Sequence, residues 1–469
     1  MIASPPLWDL TGLQLADRYR SGQVRPSDAV TAIQHRIGAL NPMINAIIAK
    51  DDEALEQAAR ASDARWQAGE PLSPLDGVPI TIKDNIHVAG LPARWGSRAH
   101  EHDRPDTDEP AVRRLRAAGL LVLGKTNVPE FTLQGYTDNA LFGPTFNPLA
   151  PGRTPGGSTG GGAAAVAAGF GPIAIGTDGG GSVRRPAAHC GLWGFKPSIG
   201  TIARAGGFPA ILHDFEVIGP IARDAADLAA VLAILAGPDD TDPRTRGAYG
   251  PAAPLPALPR ILAFDTIGDA PVDRSVAIAF ARFIRDLEAL GWPVTRAAEP
   301  FDAARAGAAW QTVAQAGLAW HVGRHRAGRE IGENARKTVE AGMALSSADY
   351  LEALAGAQQL RTEARDLFQH ADLLMSPTIA ALAWDARQPY PETIDGQPVG
   401  PRGHAIFTAW ANVAGLPALN VPLARTEGGG GIGVQVIAAP GRDRALIDFA
   451  TSVLSPLAPA PLIPSRILP

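Results

Sequence analysis

Cysteine is almost missing from this sequence: Cys190 is the single one in 469 residues. An internal disulfide framework is therefore excluded, and nothing marks the chain for an oxidising compartment. Long apolar runs are missing from the first residues, MIASPPLWDLTGLQLADRYRSG, so neither a signal-peptide core nor a membrane span is expected there. Strong charge of either sign is missing too. A net charge of −5 and a pI near 6.1 leave no basic footprint for nucleic acid. The expectation is a soluble, cytoplasmic protein with no nucleic-acid or membrane partner; assembly as a homodimer is left open. Lysine is scarce, with five (Lys50, Lys83, Lys125, Lys196, Lys337) among 42 Lys and Arg. Arginine keeps its proton in a protein, whereas a buried lysine can lose it, so each retained lysine is a candidate titratable amine.

What is present suits a large globular fold, with 46% hydrophobic residues. Helical periodicity appears at 11–20, 26–40 and 51–68, with NAIIA a short strand before the last of these. Strand signals follow at GVPITIKDNI, LLVLG and GPIAIGTD, separated by helical EPAVRRLRAAG and GGGAAAVAAGF. ARDAADLAAVLAILAG reads as a helix, and the proline-rich PAAPLPALP (251–259) as an internal connector. Beyond it come a strand RILAFD, a helix near 272–290 and a mostly helical stretch to about 370. Strand ADLLMS, helix AIFTAWANVAG, strands PALNVPL and IGVQVIAA, and a helix near 441–456 complete the chain. Alternation of this kind predicts an α/β fold, a sheet core covered by helices.

Three motifs invite functions that their context refuses. GLLVLGKT (Gly119 to Thr126) fits a phosphate-binding loop, the remote alternative of a nucleotide-binding protein. Its would-be loop is Leu-Leu-Val-Leu, a buried strand after a helix, with Pro129 close behind. GGSTG (Gly156 to Gly160) fits a nucleophile elbow but follows loop rather than strand, and no local pattern singles out His370 or His404 as its partner. HEHDRPDTDEP (His100 to Pro110) offers metal-ligand types, but its prolines and acids read as a solvated loop.

The stretch GTDGGGSVRRP is different, because it sets Ser182 directly after three glycines. Alone, it reads either as a surface turn or as a nucleophile beside backbone N–H groups. Two other segments bear on the choice. In GVPITIKDN, Lys83 closes an apolar strand; in PGGSTGGGAAAVAAG, Ser158 precedes a helix. A helix leaving Ser158 and a strand returning beside it would bring Ser182 back towards Ser158.

PGGSTGGGAAAVAAGFGPIAIGTDGGGSVRRPAAHCGLWGFKPS resembles the defining segment of the amidase signature family. GVPITIKDN, LGKTNVPEF and FGPTFNP precede it in the family's order, EVIGPIARDAADLA follows, and ANVAGLPALNVPL and GIGVQVIAAPGRDRALIDFA are similar to its closing elements. The resemblance covers 75–230 and 405–455. It implies one domain over 1–469: an N-terminal helical region to 70, a catalytic core over 75–230, the connector, a variable pocket region over 260–400, and a closing α/β region over 401–469. The implied architecture is a mixed twisted sheet with helices on both faces.

The resemblance also implies a triad in which Ser182 is the acylated nucleophile, Ser158, preceded by a cis peptide, the bridging serine, and Lys83 the base. A serine hydroxyl needs a base, a neutral lysine can be one, and a second hydroxyl can relay the proton between them. The N–H groups of Gly179, Gly180, Gly181 and Ser182 would form an oxyanion hole. Asp178 and Arg184 would pin the turn. Thr159 stands where the family usually has a second serine. Arg185 would favour an anionic substrate or pair with an acid, and His189 and Cys190 would pack behind the site. The expected activity is hydrolysis of a small-molecule amide, with no metal or organic cofactor. The rival reading is the amidase (glutaminase) subunit of a tRNA-dependent amidotransferase. The absence of an N-terminal membrane helix and of a second catalytic domain argues against a membrane-bound lipid amidase or a two-domain urea-derivative hydrolase.

Overall fold

The computed structural model describes residues 5–246 and 254–460. Residues 251–253 of the expected connector and the last nine of the closing region lie outside the described residues. Three capped helices open the chain. A Thr11–Gln14 capping box starts α1 (Gly12–Arg20), Pro26 at the first turn starts α2 (Pro26–Ile44), and the Asp51 side chain accepts from Ala54 N to start α3 (Asp52–Ala68). Between α2 and α3 lies β1 (Ile47–Ala49).

The central segment supplies β2 (Pro79–Lys83), α4 (Pro110–Ala117), β3 (Leu121–Thr126), α5 (Gly160–Ala168) and β4 (Ile173–Asp178). There follow α6 (Arg184–His189), β5 (Trp193–Lys196), β6 (Val217–Ala222) and α7 (Ala225–Leu235). The second half contributes β7 (Ile261–Ala263), α8 (Arg274–Ala289), β8 (Val294–Arg296), α9 (Ala303–His325), α10 (Glu333–Met343), α11 (Ser347–Leu367) and β9 (Leu373–Pro377). A two-stranded hairpin, β10 (Thr393–Ile394) and β11 (Gln397–Pro398), precedes α12 (Ala409–Val413), β12 (Ala418–Arg425), β13 (Gly431–Ala438) and α13 (Asp443–Phe449).

Eleven strands form one mixed sheet in the order β1-β3-β2-β4-β6-β5-β12-β13-β9-β7-β8. β3, β2 and β4 are mutually parallel, as are β9, β7 and β8; antiparallel pairs join these groups. Period-two alternation divides the core. Ile173 and Ile175 of β4 face one apolar cluster with α1, α7, α8 and α13, while Ala174 faces another with α5 and α6. Likewise Val434 and Val436 face the first cluster and Ile437 faces α9, α11 and α12. The sheet is thus a single α/β core covered by helices on both faces.

Two expected helices are shorter than their apolar runs. AIFTAWANVAG yields only the five-residue α12, because Thr408 just before it is committed to other backbone: its Oγ1 donates to Gly180 O and its carbonyl accepts from Arg184. The final helix ends at Phe449 and continues as a π turn and a 3-10 turn.

Candidate active site

The site lies at the C-terminal ends of the parallel strands β2 and β4, the edge where open α/β sheets bind ligands. Lys83, the last residue of β2, is fully buried. As an ammonium its Nζ donates to Ser158 Oγ at 2.9 Å, Thr177 Oγ1 at 2.9 Å and Thr177 O at 3.1 Å. Burial pushes the amine down from its ordinary value to about 7; Glu216 and Asp178 oppose the shift, and Arg204 and Arg185 add to it. Thr177, which holds two of the amine's contacts, has no cue in the sequence beyond standing next to Asp178.

Ser158 sits in the turn entering α5, after a cis Gly157–Ser158 bond. The N-cap of α5 is Thr159, so the Ser158 side chain is not a helix cap and turns to Lys83 instead. Every residue of α5 is buried, and its glycines let backbones touch: a Cβ on Gly161 would stand 2.5 Å from Asn127 N and O. This packing brings the returning β4 beside the Ser158 turn. Thr159 N donates to Ser182 O at 3.0 Å, and Thr159 Oγ1 to Thr177 O at 3.2 Å. Lys83 and Ser158 are thus in side-chain contact, and Ser182 is tied to the same turn through its carbonyl, while its Oγ makes no hydrogen bond among the described residues. Ser182 itself is 6% exposed.

The glycine run is held by its carbonyls. Asp178 O accepts from Asn412 Nδ2, Gly179 O from Trp310 Nε1, Gly180 O from Thr408 Oγ1 and Gly181 O from Arg185 N. In a trans peptide the next N–H points opposite to the carbonyl. The amides of residues 179 to 182 are thereby aimed away from these four partners. Gly181 N–H is taken by Asp178 Oδ1 at 2.7 Å. Of the three glycines expected to bind an oxyanion, only Gly179 and Gly180 keep free amides among the described residues, and Ser182 joins them. Side chains are excluded here: a Cβ on Gly181, at φ +116°, would clash with Thr408 Oγ1.

Asp178 and Arg184 form a fully buried ion pair, Nη2 to Oδ1 at 2.8 Å and Nε to Oδ2 at 2.9 Å. Burial pushes the Asp178 carboxyl up, but the Arg184 charge and hydrogen bonds, with Lys196 and Asn412, hold it well below the usual carboxylate range. Arg184 also donates to Thr408 O, Asn412 Oδ1 and Gln435 Oε1. Removing one partner of such a pair strands a buried charge. Arg184→Met is therefore expected to destabilise the protein by about 3–5 kcal/mol, read from urea unfolding; a change near zero would remove the pair's structural role.

Around the site, Cys190 is buried with its thiol pushed up by burial, and His189 is buried against the Trp384 ring. The apparent phosphate loop is β3, whose Leu121–Thr126 pair with β2, while Lys125 is buried on the carbonyls of Asp84, Ile86 and Pro92. His404 is buried against Trp384 with neither ring nitrogen partnered among the described residues, and Ser158 of the apparent elbow makes its side-chain contact with Lys83 instead. The HEH segment is only partly the solvated loop its composition suggests. His102 is exposed, whereas His100 is buried, with Nδ1 at 2.8 Å from Asp103 and Nε2 at 3.0 Å from His321 of α9. Its partner lies too far along the chain for a local pattern to reveal it. Among the described residues no group of three or more His, Cys, Asp or Glu side chains is arranged to hold a metal ion, and no helix is long and apolar enough to cross a membrane.

This sheet, with the glycine turn and lysine–serine contact at its edge, places the protein among the amidohydrolases of the amidase signature type. The family model for Amidase matches residues 28–447, and the chain belongs to that family. It is 35% identical to a subunit of the glutamyl-tRNA(Gln) amidotransferase of Thermus thermophilus, over 93% of this chain and 95% of that one. It is 34% identical to an acylamidase of Rhodococcus erythropolis, over 94% of each. Among solved structures, a bacterial aryl acylamidase of the amidase signature family superposes with a TM-score of 0.85 at 27% identity, covering 96% of each chain.

Proposed function

We propose that the protein is a cytoplasmic amidohydrolase that cleaves the C–N bond of small linear amides through an acyl-enzyme on Ser182. The observation that carries this reading is the coordination of Lys83. A neutral amine has two N–H groups and one lone pair. Thr177 O and Thr177 Oγ1 accept from the N–H groups, and the lone pair is left for the Ser158 hydroxyl. Ser158 passes its proton to Lys83 and takes one from Ser182. Ser182 Oγ then attacks the amide carbon, and the carbonyl oxygen becomes an oxyanion received by the amides of Gly179, Gly180 and Ser182. The proton returns through Ser158 to the departing nitrogen as the C–N bond breaks. Water cleaves the acyl ester by the same relay run in reverse, giving the acid and restoring the Ser182 hydroxyl. Arg184 and Asp178 hold the turn and take no proton.

The test is a panel of aryl, alkyl and peptide-terminal amides scored for ammonia or amine release, with intact-protein mass spectrometry after quenching. Release with an acyl adduct mapped to Ser182 is expected; turnover with the adduct on another residue overturns the assignment. The names of the Thermus relative and others like it favour a second reading, the glutaminase component of an amidotransferase. Glutamine cleaved only when partner proteins and tRNA are added, with all small amides left intact, would establish that reading instead.

A further inference from the structure

Two guanidinium groups near the Ser182 turn, one against its carbonyls and one over the Trp310 ring, stand without a carboxylate partner among the described residues. Arg185 is 3% exposed, with Nε at 3.4 Å from Gly181 O and Nη2 at 3.5 Å from Gly157 O. It thus lies between the turns that carry Ser182 and Ser158, on long contacts to carbonyls. Arg402 lies 3.8 Å over the ring of Trp310, and Trp310 Nε1 holds Gly179 O. Among the described residues neither arginine has an ion-pair partner. The neighbouring arginines do: Arg184 pairs with Asp178, and Arg204 with Glu109 and Glu216.

Arg185, Arg402 and Trp310 line one cavity of about 520 Å³, together with Gln134, Gln311 and His404, and no Asp or Glu lines it. His404 is held neutral, well below its ordinary value, by burial and by Arg185 and Arg402. Burial and the charge of Arg402 push Arg185 down to about 9, with Asp178 opposing and Arg184 adding to the shift, and burial pushes Arg402 down to about 10. A buried Arg185 beside a half-buried Arg402, with no ion-pair partner for either among the described residues, weighs against the folded state. An arriving anion offsets that penalty, and the planar fork of arginine suits a carboxylate.

We propose that this cavity is an acid-recognising subsite, so that the amide substrate carries a carboxylate seated between Arg185 and Arg402. The subsite rests on the proposed function only in that an amide reacts at Ser182, and its test does not depend on turnover. In Ser182→Ala, isothermal titration compares succinamate with pentanamide and N-acetylglycine with N-propylacetamide, placing the anion on the acyl or the amine side. The anionic member of at least one pair is expected to bind ten times more tightly or better. Arg185→Gln and Arg402→Gln, each introduced beside Ser182→Ala, are expected to shrink that preference at least fivefold. Equal affinity within both pairs overturns the proposal, as does a preference that survives both substitutions. Should either arginine variant fail to fold by circular dichroism, the preference measured in Ser182→Ala alone decides. A failure of the nucleophile assignment would appear in the adduct mapping and leave the binding preference standing.

Discussion

Ser182→Ala is expected to lower kcat by about 10⁴–10⁶-fold while leaving the protein folded. Two features set the size of that effect. The hydroxyl is the atom that forms the acyl bond in the proposed cycle, and neither Ser158 nor a bound water can replace a covalent intermediate. The side chain is also structurally idle: its Oγ makes no hydrogen bond among the described residues, and the residue keeps slight exposure to solvent. The backbone contacts of Ser182, including the bond from Thr159 N to its carbonyl, do not involve Oγ and survive the substitution. Steady-state amide hydrolysis beside a thermal melt checks both halves. Activity within tenfold of the parent, or a collapsed melting temperature, would refute one half or the other.

Lys83→Ala is expected to cost about 10²–10⁴-fold near neutral pH, the range of a lost general base. The pH profile of the parent enzyme carries the sharper expectation. The working form of Lys83 is the free amine, and burial brings its pKa down to about 7. Below that value the ammonium has no lone pair for Ser158, so kcat/KM falls as pH drops; above it the profile levels off. An exposed lysine would put the same limb near its ordinary value of 10.5. A pH profile of kcat/KM from 5 to 10 separates the two, and a limb at the higher value would refute the assignment. Stability has the same sign. The unfolded chain holds this proton more tightly than the folded one, so the folded state carries its largest penalty below pH 7. Lys83→Met, which fills the space without a charge, should gain stability relative to the parent as pH falls from 10.5 to about 7, with the gain constant below that.

The opening helices were legible because each has a local start signal, such as the Thr11–Gln14 box, and a clear apolar face. The α5–β4 return was legible from the alanine-rich helix followed by the strand GPIAIGTD. β6 was not, because Pro220 interrupts it and proline argues against an inner strand. The structure tolerates it because β5 pairs with β6 only through Trp193–Ala222 and Gly194–Ile221, leaving Pro220 beyond that contact. The positions of Lys83, Ser158 and Ser182 could be picked out by motif. Trp310, Thr408, Asn412 and Gln435 could not, since they come from distant α9, the approach to α12, α12 itself and β13, and only tertiary packing brings them to the turn. The same holds for Arg402 beside Arg185 and for His321 beside His100.

Arg184 draws on the chain far beyond its own segment, through Thr408, Asn412 and Gln435. During synthesis on a ribosome these acceptors emerge last. Until they arrive, the serine loop lacks most of its scaffold, and a nascent or prematurely terminated polypeptide ending before them has no means of shaping an amide-cleaving centre. Competence is thereby tied to completion of translation.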